Sequence, residues 1–295
     1  MADTWTVLRI LEWTSDFFSR KGIEGGRREA ELLLATVLKL DRVGLYLNFD
    51  RPLSEAERHS YRELVEQRGR REPLQYILGE TEFFSLPFKV VPGVLIPRAD
   101  SDVLVEEALR LLDSRTQGAV LDIGTGSGAL AIAIAHEREC LQVRGVDVSA
   151  TALQVARDNA ERNGVDGRTE WLEQDLFALA PGAYALVVSN PPYIPSADIP
   201  GLMPEVRDFE PHLALDGGSD GLDAYRALAR QAGQLLQPGG WLLVEVGFDQ
   251  AAAVSKLWEQ AGLTEIFVRR DYAGIERVVG GCLTAENLHP SAGEA

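Results

Sequence analysis

Cysteine is nearly absent from these 295 residues. Cys140 and Cys282 stand alone, with no CxxC pairing and no repeated spacing, which rules out a disulfide scaffold and a cysteine-ligated zinc site. Histidine is as sparse: His59, His136, His212 and His289 are dispersed and make no metal-ligand pattern. Long hydrophobic runs are missing too. The longest, Ala129 to Ala135, falls far short of the ~18 residues that suggest a membrane span. Asp3, Glu12 and Asp16 interrupt the apolar residues near the N-terminus, so the expectation is a soluble, cytoplasmic chain away from the membrane. Basic charge is also scarce. Against 45 Asp+Glu there are 29 Lys+Arg, giving a net charge of −16. That argues against a large nucleic-acid face, because duplex binding rests chiefly on Lys and Arg neutralising phosphates.

What is present has the balance of an ordinary globular protein, 45% hydrophobic and 25% charged. A prior of ~150 residues per domain gives about two domains. A chain of this size buries roughly three quarters of its unfolded surface, so it needs neither disulfides nor a structural metal to fold. The spacing of apolar residues predicts helices from Trp5 to Gly22, from Arg28 to Leu40, and from a Ser54 cap to Gly69. Arg58, Arg62, Arg68, Arg70 and Arg71 form the one basic concentration; interleaved with Glu55, Glu57, Glu63 and Glu66, they read as a solvated helix face. Prolines and glycines then punctuate short apolar pieces, Phe83-Phe84 and Phe88 to Val91, as a β-hairpin linker would. From Ser101 onward strands and helices alternate, which implies a mostly parallel sheet with helices on both faces. Two late strands, Glu265 to Arg269 and Arg277 to Val279, are expected to add an antiparallel edge. The expected divisions are a helical domain over 1–72, a hairpin linker over 73–97, an α/β domain over 98–286 and a tail over 287–295.

The first strand of the α/β domain runs into Asp122-Ile123-Gly124-Thr125-Gly126-Ser127-Gly128-Ala129. Glycines there let the backbone turn tightly and approach a ligand closely. The spacing fits the dinucleotide fingerprint, and Asp147 ends the next strand about twenty residues on, where an acid accepts from ribose hydroxyls. The loop alone therefore does not separate NAD from S-adenosylmethionine. Asp122 leans toward the second, since a carboxylate before the turn repels a pyrophosphate and attracts an ammonium. Asp175, after a third strand, is placed either to receive the exocyclic amine of adenine or to sit as a solvated loop acid.

The strand Tyr184 to Ser189 leads straight into Asn190-Pro191-Pro192-Tyr193-Ile194-Pro195. Two consecutive prolines stiffen the backbone where the strand leaves the sheet. The Asn190 side-chain carbonyl and the Pro191 carbonyl offer two acceptors to a planar NH₂ group, and Tyr193 offers a ring to stack on it. That arrangement suits methyl transfer to a nitrogen whose lone pair is delocalised, in a carboxamide or a base amine. No Ser/His/Asp, Cys/His or paired-carboxylate arrangement competes for the catalytic role.

These residues together resemble the class I S-adenosylmethionine-dependent methyltransferases, Rossmann-like in fold, that modify amino groups in planar systems. Leu95-Ile96-Pro97-Arg98, Glu72 to Gly79, and Phe83-Phe84-Ser85-Leu86-Pro87-Phe88 narrow the resemblance to the HemK/PrmC family. That family methylates the side-chain amide nitrogen, N5, of the glutamine in the Gly-Gly-Gln motif of peptide chain release factors. The resemblance implies that Asp122, Ile123, Gly124, Thr125 and Gly126 contact the methionine part of S-adenosyl-L-methionine and that Asp147 binds its ribose. It implies too that Asn190, Pro191, Pro192 and Tyr193 receive the glutamine while the helical domain grips the release factor. One departure is Leu176, where the family often has a tryptophan after the acid matching Asp175. Arg98 is expected to pair with Asp100 or Asp102. Asp198, Glu205, Asp208, Glu210, Asp216, Asp220 and Asp223 surround the pocket sequence against Arg207 and Arg226, which favours a protein amide over a nucleic-acid base.

Overall fold

The computed structural model describes residues 5–112 and 118–284. The tail expected over 287–295 lies outside the described residues. The chain divides into two units: one holds the described residues through Gly79 together with Met203–Phe209, the other runs from Glu80 to Leu202 and onward from Glu210.

The first unit is helical: α1 Val7–Arg20, α2 Gly26–Leu38, α3 Arg42–Leu47, α4 Glu55–Gly69 and α5 Leu74–Leu78. Thr6 caps α1 by accepting from Arg9 N, and Ser54 with Glu57 forms the capping box that opens α4. Leu11, Phe18, Leu33, Leu34 and Tyr61 meet in one buried cluster. The unit continues past residue 72 because α5 adds Leu74, Ile77 and Leu78 to the edge of that cluster. The arginines of α4 are not all a solvated face. Arg62 pairs with Glu66 at the surface, but Arg68 is buried and holds Glu29 and Glu205, and Arg71 holds Glu205 at 2.7 Å. Charge that reads as surface in sequence thus clamps the Met203–Phe209 return into the helical unit.

The second unit opens with a hairpin, β1 Glu80–Phe83 and β2 Leu86–Lys89, followed by α6 Asp102–Leu111. Then come β3 Ala119–Ile123, α7 Ala129–Glu137, β4 Gln142–Asp147, α8 Ala150–Arg162, β5 Thr169–Glu173 and β6 Tyr184–Ser189. The chain makes its return through the one-turn α9 (Pro204–Arg207), then completes the unit with α10 Asp223–Leu235, β7 Leu236–Glu245, α11 Ala251–Gln260, β8 Thr264–Arg270 and β9 Glu276–Leu283. The sheet order is β5-β4-β3-β6-β7-β9-β8. Its first five strands are parallel; β9 runs antiparallel between β7 and β8, so β9 and β8 add an antiparallel side to the sheet, whose edges are β8 and β5.

Strand alternation sends neighbouring residues to opposite faces. Val120, Leu186 and Leu243 join α6, α7 and α8 in one buried cluster, while Leu121, Val187 and Leu242 join α10 and α11 in the other. Helix α7 is apolar on every side and buried from Leu130 to Ala135. Because successive crossovers go to opposite sides of β3, a crevice opens at the carboxyl ends of β3, β4 and β6. No helix among the described residues is long and apolar enough to cross a membrane.

Candidate active site

The crevice is a cleft open to solvent and lined by residues of the second unit. Its floor is the glycine loop. Gly124, Gly126 and Gly128 all take positive φ, at 71°, 56° and 83°. The amides of Gly124 and Thr125 both donate to the Val146 carbonyl, which pins the loop to the end of β4. A Cβ on Gly124 or Gly126 meets no atom within 4 Å, so these two keep the ground above the loop clear, whereas Gly128 is pressed by Ile132, Trp171 and Ala156. Asn159, fully buried on α8, braces the loop from below: its Nδ2 donates to the Ser127 and Lys89 carbonyls, and its Oδ1 accepts from Lys89 N at 2.7 Å. The signal for it in sequence was a polar residue in the apolar phase of α8.

Asp147 stands on the cleft wall at the end of β4. Its Oδ2 accepts from Gly126 N and its Oδ1 from Ser149 N, both at 2.9 Å. Each oxygen keeps a further lone pair for a ligand hydroxyl. Asp175 is also on the wall, exposed, and caps the turn Leu176–Ala178 by accepting from Phe177 N. Phe177, 59% exposed on the same wall, supplies one residue later the aromatic surface that Leu176 lacks. Phe177, Val148, Ser149 and Leu213 share the wall, with no motif in the sequence to mark them.

Asp122 and Ile123 do not reach the cleft surface. They are 1% and 0% exposed, because at the end of β3 both side chains are already covered by the two layers of core. Asp122 Oδ2 instead accepts from Thr125 Oγ1 at 2.7 Å and from Ala131 N at the start of α7, while Oδ1 is buried without a partner. Burial pushes this carboxyl up to about 7, against the opposing hydrogen bond from Thr125.

Of the Asn-Pro-Pro-Tyr element, Asn190 and Pro192 face the cleft; Pro191 is buried and Tyr193 is turned away from the wall. Tyr193 packs partly against the α10–α11 core, and its carbonyl accepts from Gln250 Nε2 at 2.9 Å. Burial, with the nearby Glu245 charge, pushes its hydroxyl up to about 12. The expected stacking surface is therefore committed to the fold. Arg98 lines the cleft but pairs with the buried Glu210 at 2.6 Å, not with Asp100 or Asp102; Asp100 lies 3.4 Å from Arg277 instead. Among the described residues no group of His, Cys, Asp and Glu is arranged to hold a metal ion.

Two family models match the chain: the PrmC N-terminal domain over residues 9–79 and the methyltransferase small domain over residues 98–200. The release factor glutamine methyltransferase of Geobacter sulfurreducens is 50% identical over 280 residues, covering 95% of this chain and 97% of that protein. That of Rhodopirellula baltica is 43% identical over 284 residues, covering 93% and 95%. In fold, the chain is similar to a methyltransferase from Pyrococcus furiosus, with a TM-score of 0.51 and 18% identity over 68% of this chain and 90% of the other.

Proposed function

The chain belongs to the release factor glutamine methyltransferase family, and from that premise we propose that its cleft carries out methylation of the Gly-Gly-Gln glutamine of peptide chain release factors at the side-chain nitrogen N5. S-adenosyl-L-methionine, when bound, supplies a methyl group on a sulfonium, which is already a good leaving group. The residues present fit that cofactor. Gly124 and Gly126 leave a cradle that any Cβ would narrow, Asp147 offers lone pairs for the ribose, and Asp175 and Phe177 offer an acceptor edge and an aromatic face for a planar base. Contact of Thr125, which lines the cleft, with the methionine part belongs to the same reading.

Asn190 and Pro191 supply the chemistry that the chain itself must contribute. The Asn190 Oδ1 and the Pro191 carbonyl accept the two hydrogens of the glutamine amide and fix its plane; Pro192 shapes the wall beside it, and Tyr193 holds the turn. Orientation of this kind can lower a barrier by about 7–11 kcal/mol, and acceptors beside a nitrogen that becomes positive add to it. The observation that carries the reading is the placement of Asn190. Its Nδ2 is spent on Ser101 Oγ at 3.2 Å, leaving the acceptor end for a ligand in the cleft that Gly124, Gly126 and Asp147 also line.

The helical unit is assigned the grip on the release factor, which its match to the PrmC N-terminal domain supports. A cytoplasmic location and no direct nucleic-acid partner go with a substrate that works in translation and with the net charge of −16. Asn190→Ala tests the reading. Methyl incorporation into a purified release factor is expected to fall at least a hundredfold while calorimetric affinity for S-adenosylmethionine stays within a few fold. Near-normal turnover in that variant contradicts it.

A further inference from the structure

Two residues from separate elements, Ser101 and Glu245, line up behind the Asn190 amide. Ser101 precedes α6, Asn190 follows β6, and Glu245 ends β7. Asn190 Nδ2 donates to Ser101 Oγ at 3.2 Å, and Ser101 Oγ donates in turn to Glu245 Oε2. Ser101 and Glu245 are 4% and 1% exposed. Such a buried acid is costly to the fold, and an apolar residue of similar size commonly serves stability better. Arg277 does not explain it, because the guanidinium is spent on Asp271, Asp100 and the Val246 carbonyl.

The arrangement has a direction. A carboxylate only accepts, so the single Ser101 proton must go to Glu245, and Ser101 then has only lone pairs to offer Asn190. That forces the NH₂ end of the Asn190 amide inward and its oxygen outward. The two ends of an asparagine amide are nearly identical in shape, so packing alone does not choose between them. In the flipped state the amide nitrogen meets the NH₂ of a glutamine, donor against donor.

We propose that Glu245 and Ser101 are positioning residues for methyl transfer, locking the amide of Asn190 so that Oδ1 and not Nδ2 faces the target nitrogen. The proposal rests on the reading of the cleft given above. Loss of the carboxylate's pure acceptor character is what releases the lock. Glu245→Gln keeps the shape but can donate to Ser101, which can then donate to Asn190 Oδ1 and turn the amide over. Protonation of Glu245 does the same. Burial pushes this carboxyl up to about 7, with the Ser101 hydrogen bond and Arg277 opposing and Asp100 reinforcing; Tyr193 and Tyr225 also face it.

The test compares wild type, Glu245→Gln and Ser101→Ala on a purified release factor, reading kcat, KM and S-adenosylmethionine affinity from pH 5.5 to 8.5. Expected are a fall in kcat of at least tenfold in Glu245→Gln and a smaller fall in Ser101→Ala, both with cofactor affinity near wild type. In wild type kcat is expected to drop as the pH falls through about 7, and in Glu245→Gln that acid limb should vanish. Turnover within twofold of wild type in both variants overturns the proposal, as does an equal loss of cofactor affinity, which marks a collapsed cleft. Absence of transfer by wild type overturns the functional reading itself, so the two failures are distinguishable.

Discussion

Asp122 is buried behind the glycine loop, 1% exposed. Its sequence position, an acid before a glycine turn, suggested contact with a ligand; the structure puts it behind the loop, capping α7 and holding Thr125. A negative charge at a helix N-terminus is favourable, yet complete burial outweighs it and raises the carboxyl from its ordinary 3.8 to about 7. Unfolded, the group is already ionised above pH 4; folded, it keeps its proton to about 7. The native state therefore binds more protons across that window, and its contribution to stability is present at low pH and lost as the pH rises through about 7. Asp122→Asn keeps the acceptor for Thr125 and removes the titration. Its melting temperature should fall less than that of wild type between pH 5 and pH 8, measured by differential scanning calorimetry without cofactor; an identical slope contradicts this account.

At the scale of elements, regular segments were legible and the connections were not. The strand–helix alternation from Ala119 to Ala261 was visible because apolar runs of strand length and helical faces repeat with clear turn signals. The Ser54 cap was visible because its Glu57 partner sits three residues on. The short α3 and α5 escaped because one or two turns carry too little periodicity. The path after Pro195, up to Leu222, escaped because it is fixed by long-range contacts: Gln250 reaches the carbonyls of Tyr193 and Gly221, and Gly217 and Gly221 pack against the backbone around Tyr193. This explains why Tyr193 could be named but its direction could not. It also makes Gly221 a sensitive point, with φ at 74° and an added Cβ only 2.3 Å from the Tyr193 carbonyl oxygen. Gly221→Ala must shift the loop after Pro192, and the left-handed backbone adds a cost of about 1–2 kcal/mol. A loss of transfer of at least tenfold is expected, with cofactor affinity kept. Unchanged kinetics would show that the loop does not set the position of Asn190.

For the whole molecule, the low proportion of basic residues takes on a specific meaning once the arginines are located. Arg68 and Arg71 are spent inside the helical unit, Arg98 on Glu210, Arg277 on Asp271, and Arg226 on Asp220 and Asp223. These arginines are held by carboxylates, while the cleft keeps the acceptors that an amide requires. The two units also differ in what they carry, one the match to the PrmC N-terminal domain and the other the glycine loop and Asn190. The most direct measurement is transfer of labelled methyl from S-adenosylmethionine to a purified release factor, run beside the same factor with its Gly-Gly-Gln glutamine replaced and beside nucleic acid. Label is expected on that glutamine and in neither control. Label in the replaced factor, or in nucleic acid alone, would contradict this.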